Sequence, residues 1–314
     1  MEIHQLRTLR ELRDRGSVTA AAQALGMSPS AVSQQLAALQ RSVAVPLTQM
    51  HGRILRLTKA GERLAAAGGV VVEAMANAEQ SVADYLASNR EPVTVTAFHS
   101  AGLAWFPPLI ESCLADPDGP QVSCRDEDVA VAEFPELAAD YDIVIAHRPF
   151  DSASWPRDRV RVVPLLAEPI DLALNRGHRL ASSPEIALAD LGHEAWLCAH
   201  EGFALEPLLL QAQAASTGAS ITISQRVNEF NVAAAIVART DIVCLLPRYT
   251  GLIPYFQDDV VLRPIGGISG VTLGRRIDIL ARPEALARAS VHRVVERITQ
   301  IARSTATPAP RPSL

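Results

Sequence analysis

The stretch SVTAAAQALGMSPSAVSQQLAAL, residues Ser17–Leu39, decides the fold of the N-terminal part of this chain. Its small residues leave room for two helices to cross closely, and Gly26 between them supplies a tight turn. Ser28 and Pro29 then start a helix, because serine is a favoured N-cap and proline suits the first helical position. The apolar residues that repeat at helical spacing after this start are Val32, Leu36 and Leu39. The stretch therefore predicts two short helices joined by a turn, a helix-turn-helix.

The second of these helices keeps a polar face opposite its apolar residues. Short hydroxyl and amide side chains on such a face can hydrogen-bond base edges and phosphates in a DNA major groove. The residues that we predict to contact DNA from this helix are Ser28, Pro29, Ser30, Ser33 and Gln34. Two amphipathic helices can also join in any all-α domain, so the flanking sequence has to decide between the two interpretations.

The flanking sequence favours a complete DNA-binding domain. The residues that predict a preceding helix, and with it a three-helix core, are Leu6, Leu9 and Leu12. Residues 51–61 predict a turn followed by a short strand, which indicates a wing beside the helices. We place Arg53 at the tip of this wing and predict that Arg53 and Arg56 bind the DNA backbone.

A family resemblance rests on residues that match in register over about sixty positions, which makes it far more specific than one short motif. The matching residues are Gly16-Ser17, Ala21-Ala22, Leu25, Ser30-Ala31-Val32-Ser33, Leu39, Leu57-Thr58 and Ala60-Gly61. The chain thereby resembles the LysR-type transcriptional regulators. The resemblance implies a winged helix-turn-helix over residues 1–60 and a homodimer or homotetramer. It also implies a double-stranded DNA operator and a small-molecule effector as partners.

Several residues depart from the family pattern. Pro29 stands where the family often has glutamine, and Gln34 stands where it often has arginine. Further departures are Gln40, Ala44, Thr48 and Met50. The lost positive charge predicts weaker non-specific DNA affinity and more reliance on the wing and on the spacing within a dimer.

Charge is unevenly distributed along the chain. Residues 1–60 contain eight Lys or Arg and three Asp or Glu, a net charge of +5, whereas the whole chain carries −5 and the remainder therefore −10. A basic head on an acidic body suits a protein that presents one face to phosphates. Counting alone does not distinguish this uneven charge from a chance distribution, so the charge carries weight because it coincides with the helix-turn-helix.

The composition favours a cytoplasmic protein. No apolar run approaches the roughly twenty residues that a membrane-spanning helix needs, and the N-terminus lacks the pattern of a signal peptide. The four cysteines are widely scattered, which favours buried thiols over a redox-sensing pair. They are Cys113, Cys124, Cys198 and Cys244.

Residues 61–90 contain no proline and predict a long linker helix. Its apolar or small residues recur in alternating steps of three and four, namely Leu64, Gly68, Val71, Met75, Ala78, Val82 and Tyr85. Such a heptad stripe usually packs against a copy of itself, so we expect the helix to form a dimer. The alternative is that the stripe packs on the chain's own body.

Residues 91–303 alternate short apolar strands with helical segments, which predicts an α/β domain with a parallel sheet covered by helices. The predicted strands are 93–98, 122–124, 143–146, 160–165, 170–174, 196–199, 221–227, 242–246, 260–262 and 276–281. The layout resembles the periplasmic-binding-protein-like effector domain of the LysR-type family. We expect subdomain I to comprise 91–163 and 268–303 and subdomain II 164–267, followed by a disordered tail over 304–314.

The candidate effector site follows the strand ends, because ligands of open α/β sheets bind beyond the carboxyl ends of the strands. His99, His147 and His200 each follow a predicted strand and would line a cleft between the subdomains. The other residues predicted to bind the effector are Ser100, Gly102, Phe203, Glu229, Phe230 and Asn231. Free N–H groups at Ser100 and Gly102 would favour an anion.

Three interpretations of the histidines stay open. They could hold a metal ion, hydrogen-bond a polar or carboxylate effector, or only satisfy local backbone groups. We assign neither a metal nor a cofactor, since no close histidine pair is present. No Gly-x-Ser-x-Gly elbow or phosphate-binding Gly-rich loop occurs, so we expect no enzymatic activity. Alternatives are an interaction or sensor protein with weakened DNA binding and, more remotely, a metabolite-converting enzyme.

Overall fold

The computed structural model describes residues 1–52, 54–85, 90–199, 222–251, 254–266 and 273–306. The helices are α1 (Ile3–Arg15), α2 (Val18–Ala24), α3 (Pro29–Arg41), α4 (Lys59–Tyr85), α5 (His99–Leu114), α6 (Phe134–Leu137), α7 (Phe230–Val237), α8 (Pro283–Leu286) and α9 (Ala289–Ala306). Within these described residues, no helix is both long and apolar enough to cross a membrane.

The strands fall into a DNA-binding part and an effector part. Strands β1 (Thr48–His51) and β2 (Ile54–Leu57) pair as an antiparallel hairpin. The remaining strands are β3 (Val93–Ala97), β4 (Val122–Asp126), β5 (Ile143–Pro149), β6 (Arg161–Asn175), β7 (Ile186–Ala187), β8 (Ala195–Cys198), β9 (Thr222–Arg226), β10 (Val243–Pro247), β11 (Val260–Arg263), β12 (Ile265–Gly266) and β13 (Gly274–Ala281).

The helix-turn-helix is confirmed in its local chemistry. Gly26 adopts a left-handed φ of 62°, a conformation that glycine reaches without a steric penalty. The Ser28 hydroxyl accepts a hydrogen bond from the Ala31 N–H at 3.2 Å and so caps α3, with Pro29 as its first residue. The buried residues of the three-helix core include Leu9, Leu12, Val32 and Leu39. Helices α1 to α3 with the hairpin form a winged helix-turn-helix.

The stripe on α4 is buried at its start and exposed further along the helix. Gly68 is buried against α1, and a Cβ at this position would lie 3.1 Å from the Leu6 Cβ. Val71, Met75 and Val82 are 48%, 43% and 61% exposed. A helix of 3.6 residues per turn drifts against a strict heptad, so the first turns of the stripe face the chain's own α1 and the later turns face outward. The expectation of a stripe free for a partner therefore holds only beyond Gly68.

The effector part is one mixed sheet in two lobes. Lobe I contains the strand order β4-β3-β5-β13-β6, and lobe II continues from β6 through β10 and β8 to β9, with β11 on the other side of β6. Strands β3, β4 and β5 are parallel, as are β8, β9 and β10. Strands β6 and β13 run antiparallel to their neighbours, so the expectation of a parallel sheet is wrong at the centre.

Strand β6 corrects the predicted subdomain boundary. The sequence predicts separate strands over 160–165 and 170–174 and a subdomain boundary between residues 163 and 164, but β6 is one continuous strand of 15 residues. Its first part pairs with β13 as far as Pro169, and its last part pairs with β10 and β11. Because hydrogen bonds continue through the proline-interrupted stretch, β6 joins both lobes instead of ending in one.

The C-terminal helix also runs further than predicted. Helix α9 continues to Ala306, so residues 304–306 do not belong to a disordered tail. The Trp105 indole N–H donates to the Thr305 hydroxyl at 3.2 Å and holds this last turn against α5. The predicted site residues Arg53, His200 and Phe203 lie outside the described residues, as does the rest of the predicted tail, residues 307–314.

The exposed part of the α4 stripe yields a test of self-association. We expect Met75→Glu to shift the full-length chain toward the monomer, because it places a charge in an apolar dimer seam. Asn77→Glu is the matched control, because Asn77 is also exposed. Asn77 follows Met75 by two positions, which places it on the opposite side of α4. Sedimentation equilibrium measures the mass of both variants. A Met75→Glu mass equal to that of the Asn77→Glu control would contradict the assignment.

Candidate functional site

The exposed face of α3 carries all five of its predicted DNA contacts, but their hydrogen-bonding capacity differs. The Ser28 oxygen accepts from Ala31 and shares a 2.9 Å hydrogen bond with the Ser30 hydroxyl. The Ser33 hydroxyl donates to the Pro29 carbonyl at 2.9 Å. Gln34 is exposed, and within the described part of the chain its amide has no protein partner. Gln34 is therefore the side chain on this face most available for an external contact.

The wing extends beside this face. Gly52 has a φ of 65° and makes the tight turn between β1 and β2. Arg56 on β2 is exposed and pairs across the hairpin with Gln49, so its guanidinium is available to a phosphate. Arg53, the predicted tip, lies outside the described residues.

Part of the basic head is directed away from this face. Arg10 and Arg13 on α1 are buried, at 4% and 8% exposure. Arg10 forms a bidentate ion pair with Glu284 of the effector part, and Arg15 pairs with Asp140 at 2.8 Å. The net charge of residues 1–60 thus overstates the number of cations available to DNA, because arginines of α1 form ion pairs within the chain.

Two of the predicted effector residues meet across the cleft between the lobes. The His99 Nδ1 lies 3.0 Å from Asp126 Oδ2 in lobe I, and its Nε2 lies 3.7 Å from Glu229 Oε1 in lobe II. Glu229 also caps α7 by accepting from the Val232 N–H at 2.8 Å. Since His99 is 46% exposed, it lies at the cleft surface.

The surroundings of His99 favour its charged form. The hydrogen bond to Asp126 raises the pKa of His99 above 6.5, and the negative charges of Asp126, Glu229 and Asp128 add to this. Burial acts in the opposite direction but is smaller than the hydrogen bond. The cleft around His99 is consequently rich in carboxylates, an environment that repels an anion.

A buried ion pair that the sequence analysis missed lies where the lobes join. Glu168 on β6 is fully buried and accepts from the Arg275 Nε on β13 at 2.8 Å. Its other oxygen accepts from the backbone N–H groups of Tyr249 and Thr250 at 2.9 and 2.7 Å. Arg275 also donates to the Ser100 hydroxyl at 3.1 Å. The network therefore ties the start of α5 in lobe I to the end of β10 in lobe II.

His147 is half-buried and packs on the aromatic core of lobe I. It lies inside β5, which continues past residue 146, and its ring packs edge-on against Phe98 and Phe134 at 4.7 and 5.4 Å. Burial, with a smaller effect of the Arg275 charge, lowers the pKa of His147 to about 3. A neutral ring in an aromatic cluster has a packing role, so His147 is removed from the candidate site.

The remaining cleft residues also differ from expectation. The Gly102 N–H donates to the Phe98 carbonyl at 3.0 Å and is not free, whereas the Ser100 N–H has no acceptor among the described residues. The neighbouring His99 N–H donates to Asp128 at 3.2 Å. Asn231 donates to Glu229 at 2.7 Å and supports it. Phe230 packs on the lobe II core. Among the described residues, no group of three or more His, Cys, Asp or Glu could hold a metal ion.

The four cysteines lie within the described residues, and none of them is in a disulfide. Cys244 lies opposite Leu197 in the β10–β8 pair, so Cys198, the next residue on β8, points to the other face of the sheet. Burial raises the pKa of Cys244 to about 12 and that of Cys124 to about 11. Both effects disfavour a reactive thiolate, and the geometry excludes a disulfide between Cys198 and Cys244.

Two family models match the chain in tandem. Residues 3–62 match the bacterial regulatory helix-turn-helix protein, lysR family, and residues 87–303 match the LysR substrate binding domain. The chain belongs to the LysR family. The resemblance inferred from the sequence is thereby confirmed, together with the α/β fold class.

Relatives and solved structures agree with this membership. The chain is 30% identical over 200 residues to the HTH-type transcriptional regulator MetR of Salmonella typhimurium, covering 63% of this chain and 60% of MetR. It is 26% identical over 196 residues to GbpR of Rhizobium radiobacter, covering 61% of this chain and 63% of GbpR. The matched segments thus span less than two thirds of these relatives. A full-length OxyR variant of Pseudomonas aeruginosa has the same fold, with a TM-score of 0.64 at 21% identity over 100% of this chain and 99% of that one.

The buried ion pair between Glu168 and Arg275 of this LysR-family protein predicts the outcome of a double-mutant cycle. Glu168→Gln and Arg275→Met should each lower the free energy of unfolding of the effector part by about 3–5 kcal/mol, because each leaves a buried charge without its partner. The double variant should recover most of this loss. All three tryptophans belong to the effector part, so denaturant unfolding followed by tryptophan fluorescence reports on it. Glu296→Gln, at the exposed pair of Glu296 with His292, is the control. Single variants that lose no more free energy of unfolding than Glu296→Gln would contradict the prediction.

The pKa of His99 predicts a pH-dependent contact. An unfolded histidine titrates near pH ~6.5, and the folded pKa of His99 lies above that value. The stabilisation is therefore complete below the unfolded pKa and is lost as the pH rises through the folded pKa. NMR titration of the His99 ring should show a midpoint above 6.5. Asp126→Asn should lower this midpoint more than Asp128→Asn does, and equal effects would show that the hydrogen bond is not the main cause.

Proposed function

We propose that this LysR-family protein is a transcriptional regulator that binds a two-fold DNA operator and responds to a small molecule in its interlobe cleft. The observation that carries the proposal is the exposed Gln34 on α3, without a partner among the described residues, beside a wing that presents Arg56. A recognition helix and a cationic wing together offer base contacts and phosphate contacts. The place of action would be the cytoplasm, where bacterial operators are found.

Self-association supports the same proposal. A single copy presents one recognition helix, and reading two half-sites requires two helices about one DNA turn apart. The outward residues of α4, Val71, Met75 and Val82, supply an apolar stripe on which a second copy can pack. We therefore take the functional unit to be a homodimer or a homotetramer built on this helix.

The proposed effector differs from the carboxylate considered from the sequence. Asp126, Asp128 and Glu229 surround His99, while the guanidinium of Arg275 is already neutralised by Glu168. Within the described part of the cleft, these charges favour an uncharged or cationic polar molecule. His99, Ser100, Glu229 and Asn231 remain the residues that we propose to bind it.

The regulatory step follows from the cross-cleft contact. An effector that inserts between His99 and Glu229 would change the angle between the lobes. It would act on DNA binding only if it binds one lobe arrangement better than the other. In the described residues, His99 is hydrogen-bonded to a carboxylate and to no hydroxyl or thiol nucleophile, which supports binding without turnover. Incubation with metabolites that stabilise the protein tests for any conversion.

DNA binding by defined variants tests the proposed interface. Using DNA that flanks the protein's own gene, Arg56→Ala should weaken binding to operator and unrelated DNA equally and reduce the salt slope by about 1. Gln34→Ala should weaken the operator complex by about 1–3 kcal/mol and unrelated DNA much less. Arg239→Gln, at an exposed arginine after α7, is the control.

Fluorescence anisotropy titrations at several salt concentrations measure these effects. Wild-type protein that binds operator and unrelated DNA with the same affinity would reject the regulator proposal. That result would favour an interaction protein with weakened DNA binding. A Gln34→Ala loss shared by all sequences would instead reassign Gln34 to the phosphate backbone.

A further inference from the structure

A cavity of about 80 Å³ lies where the DNA-binding part meets the effector part. One wall comes from α1 and α4, and the opposite wall from residues 157–161 before and at the start of β6. Its lining contains five arginines and two acidic residues. The arginines are Arg10, Arg13, Arg157, Arg159 and Arg161, and the acids are Glu73 and Asp158. The cavity includes no residue of α3, the wing or the cleft.

Two of these arginines already have their counter-charges. Arg10 is bidentate on Glu284, and Arg161 donates to Glu73 at 2.8 and 3.1 Å. Arg13 is paired with Asp14 through its Nε only, so Arg13, Arg157 and Arg159 keep N–H donors that can act on the cavity.

Arg13 is the decisive residue. Its side chain is only 2% exposed, and its Nε is paired with Asp14 at 2.9 Å. Its Nη1 is buried and has no hydrogen-bond acceptor among the residues that the structure describes. Leaving a buried charged donor unpaired costs free energy, so a ligand in the cavity that accepts a hydrogen bond from Arg13 would offset this cost.

The opposite wall supplies matching donors. Arg159 is half-buried and Arg157 is exposed, and neither has an ion-pair or hydrogen-bond partner for its guanidinium within the described ranges. Asp158 between them is exposed and offers partial neutralisation only. Arginines on two walls of one cavity suit a doubly charged oxyanion, which guanidinium groups bind through paired N–H donors.

We propose that this cavity is an anion site for a phosphate group, held between Arg13 on one wall and Arg157 and Arg159 on the other. A cavity that holds one water molecule has a volume of roughly 10–15 Å³. The volume of about 80 Å³ therefore admits a phosphate group but not a nucleotide. The phosphate bridges α1 of the DNA-binding part to the effector part. This site is separate from the cleft and does not depend on the effector proposal.

Bridging gives the site a physical consequence. A ligand that contacts both parts stabilises the arrangement in which both walls are close, and it leaves the cleft contacts untouched. Phosphate binding in the cavity would therefore affect the helix-turn-helix through α1, independently of any effector.

The test uses the full chain and inorganic phosphate. Isothermal titration calorimetry at constant ionic strength, with chloride as the replaced anion, should give saturable binding to the wild type. Arg159→Gln and Arg13→Gln should each weaken binding at least tenfold. Arg239→Gln, at an exposed arginine in lobe II, should leave it unchanged. Because the Arg159 guanidinium has no ion pair or hydrogen bond within the described ranges, its variant answers the question even if Arg13→Gln does not fold.

A second arm identifies the source of the phosphate. Glycerol 3-phosphate competes with inorganic phosphate if the cavity mouth admits a phosphomonoester, and it fails to compete if only the free ion fits. Either outcome supports an anion site. The proposal is overturned if wild-type protein shows no saturable phosphate binding, or if Arg159→Gln binds phosphate as tightly as Arg239→Gln does.

Discussion

The effector part depends on the antiparallel pairing of strands β6 and β13. Glu168 and Arg275 lie opposite each other in this pair and form a buried ion pair. Glu168 has no exposed surface, so its charge is tolerable only because Arg275 and two backbone N–H groups satisfy it. The partners come from both lobes. The lobes are therefore joined by a buried polar network rather than by a loose hinge, and any change in their angle has to act through it.

A second set of charges links this part to the helix-turn-helix. Arg282 donates to Glu11 and Asp14 of α1 at 2.5 and 2.8 Å, and Arg10 of α1 reaches back to Glu284. These groups are largely shielded from water, so their interactions are less screened than surface pairs. The connection explains how α1 can act as a structural bridge while α3 and the wing stay free for DNA.

Local patterns in the sequence predicted the local structure well. Ser28, Pro29 and Gly26 specify the start of α3 and the turn before it through backbone chemistry that needs no distant partner. The apolar period of α3 predicted which face is buried. The errors arose where pairing between distant residues decides. Nothing in residues 166–169 indicates that β6 continues, because the continuation depends on hydrogen bonds to β13, β10 and β11.

The candidate site shows the same division. The sequence by itself determined the LysR family, the winged helix-turn-helix and the helical and strand segments around His99 and Glu229. Only the tertiary structure decided that His147 packs among aromatic rings, that His99 meets Glu229 across the cleft, and that Arg13 faces an arginine-lined cavity. Spacing along the chain governs hydrogen bonds within one turn or helix. Burial and charge pairing depend on residues more than a hundred positions apart, as in Arg275 with Glu168.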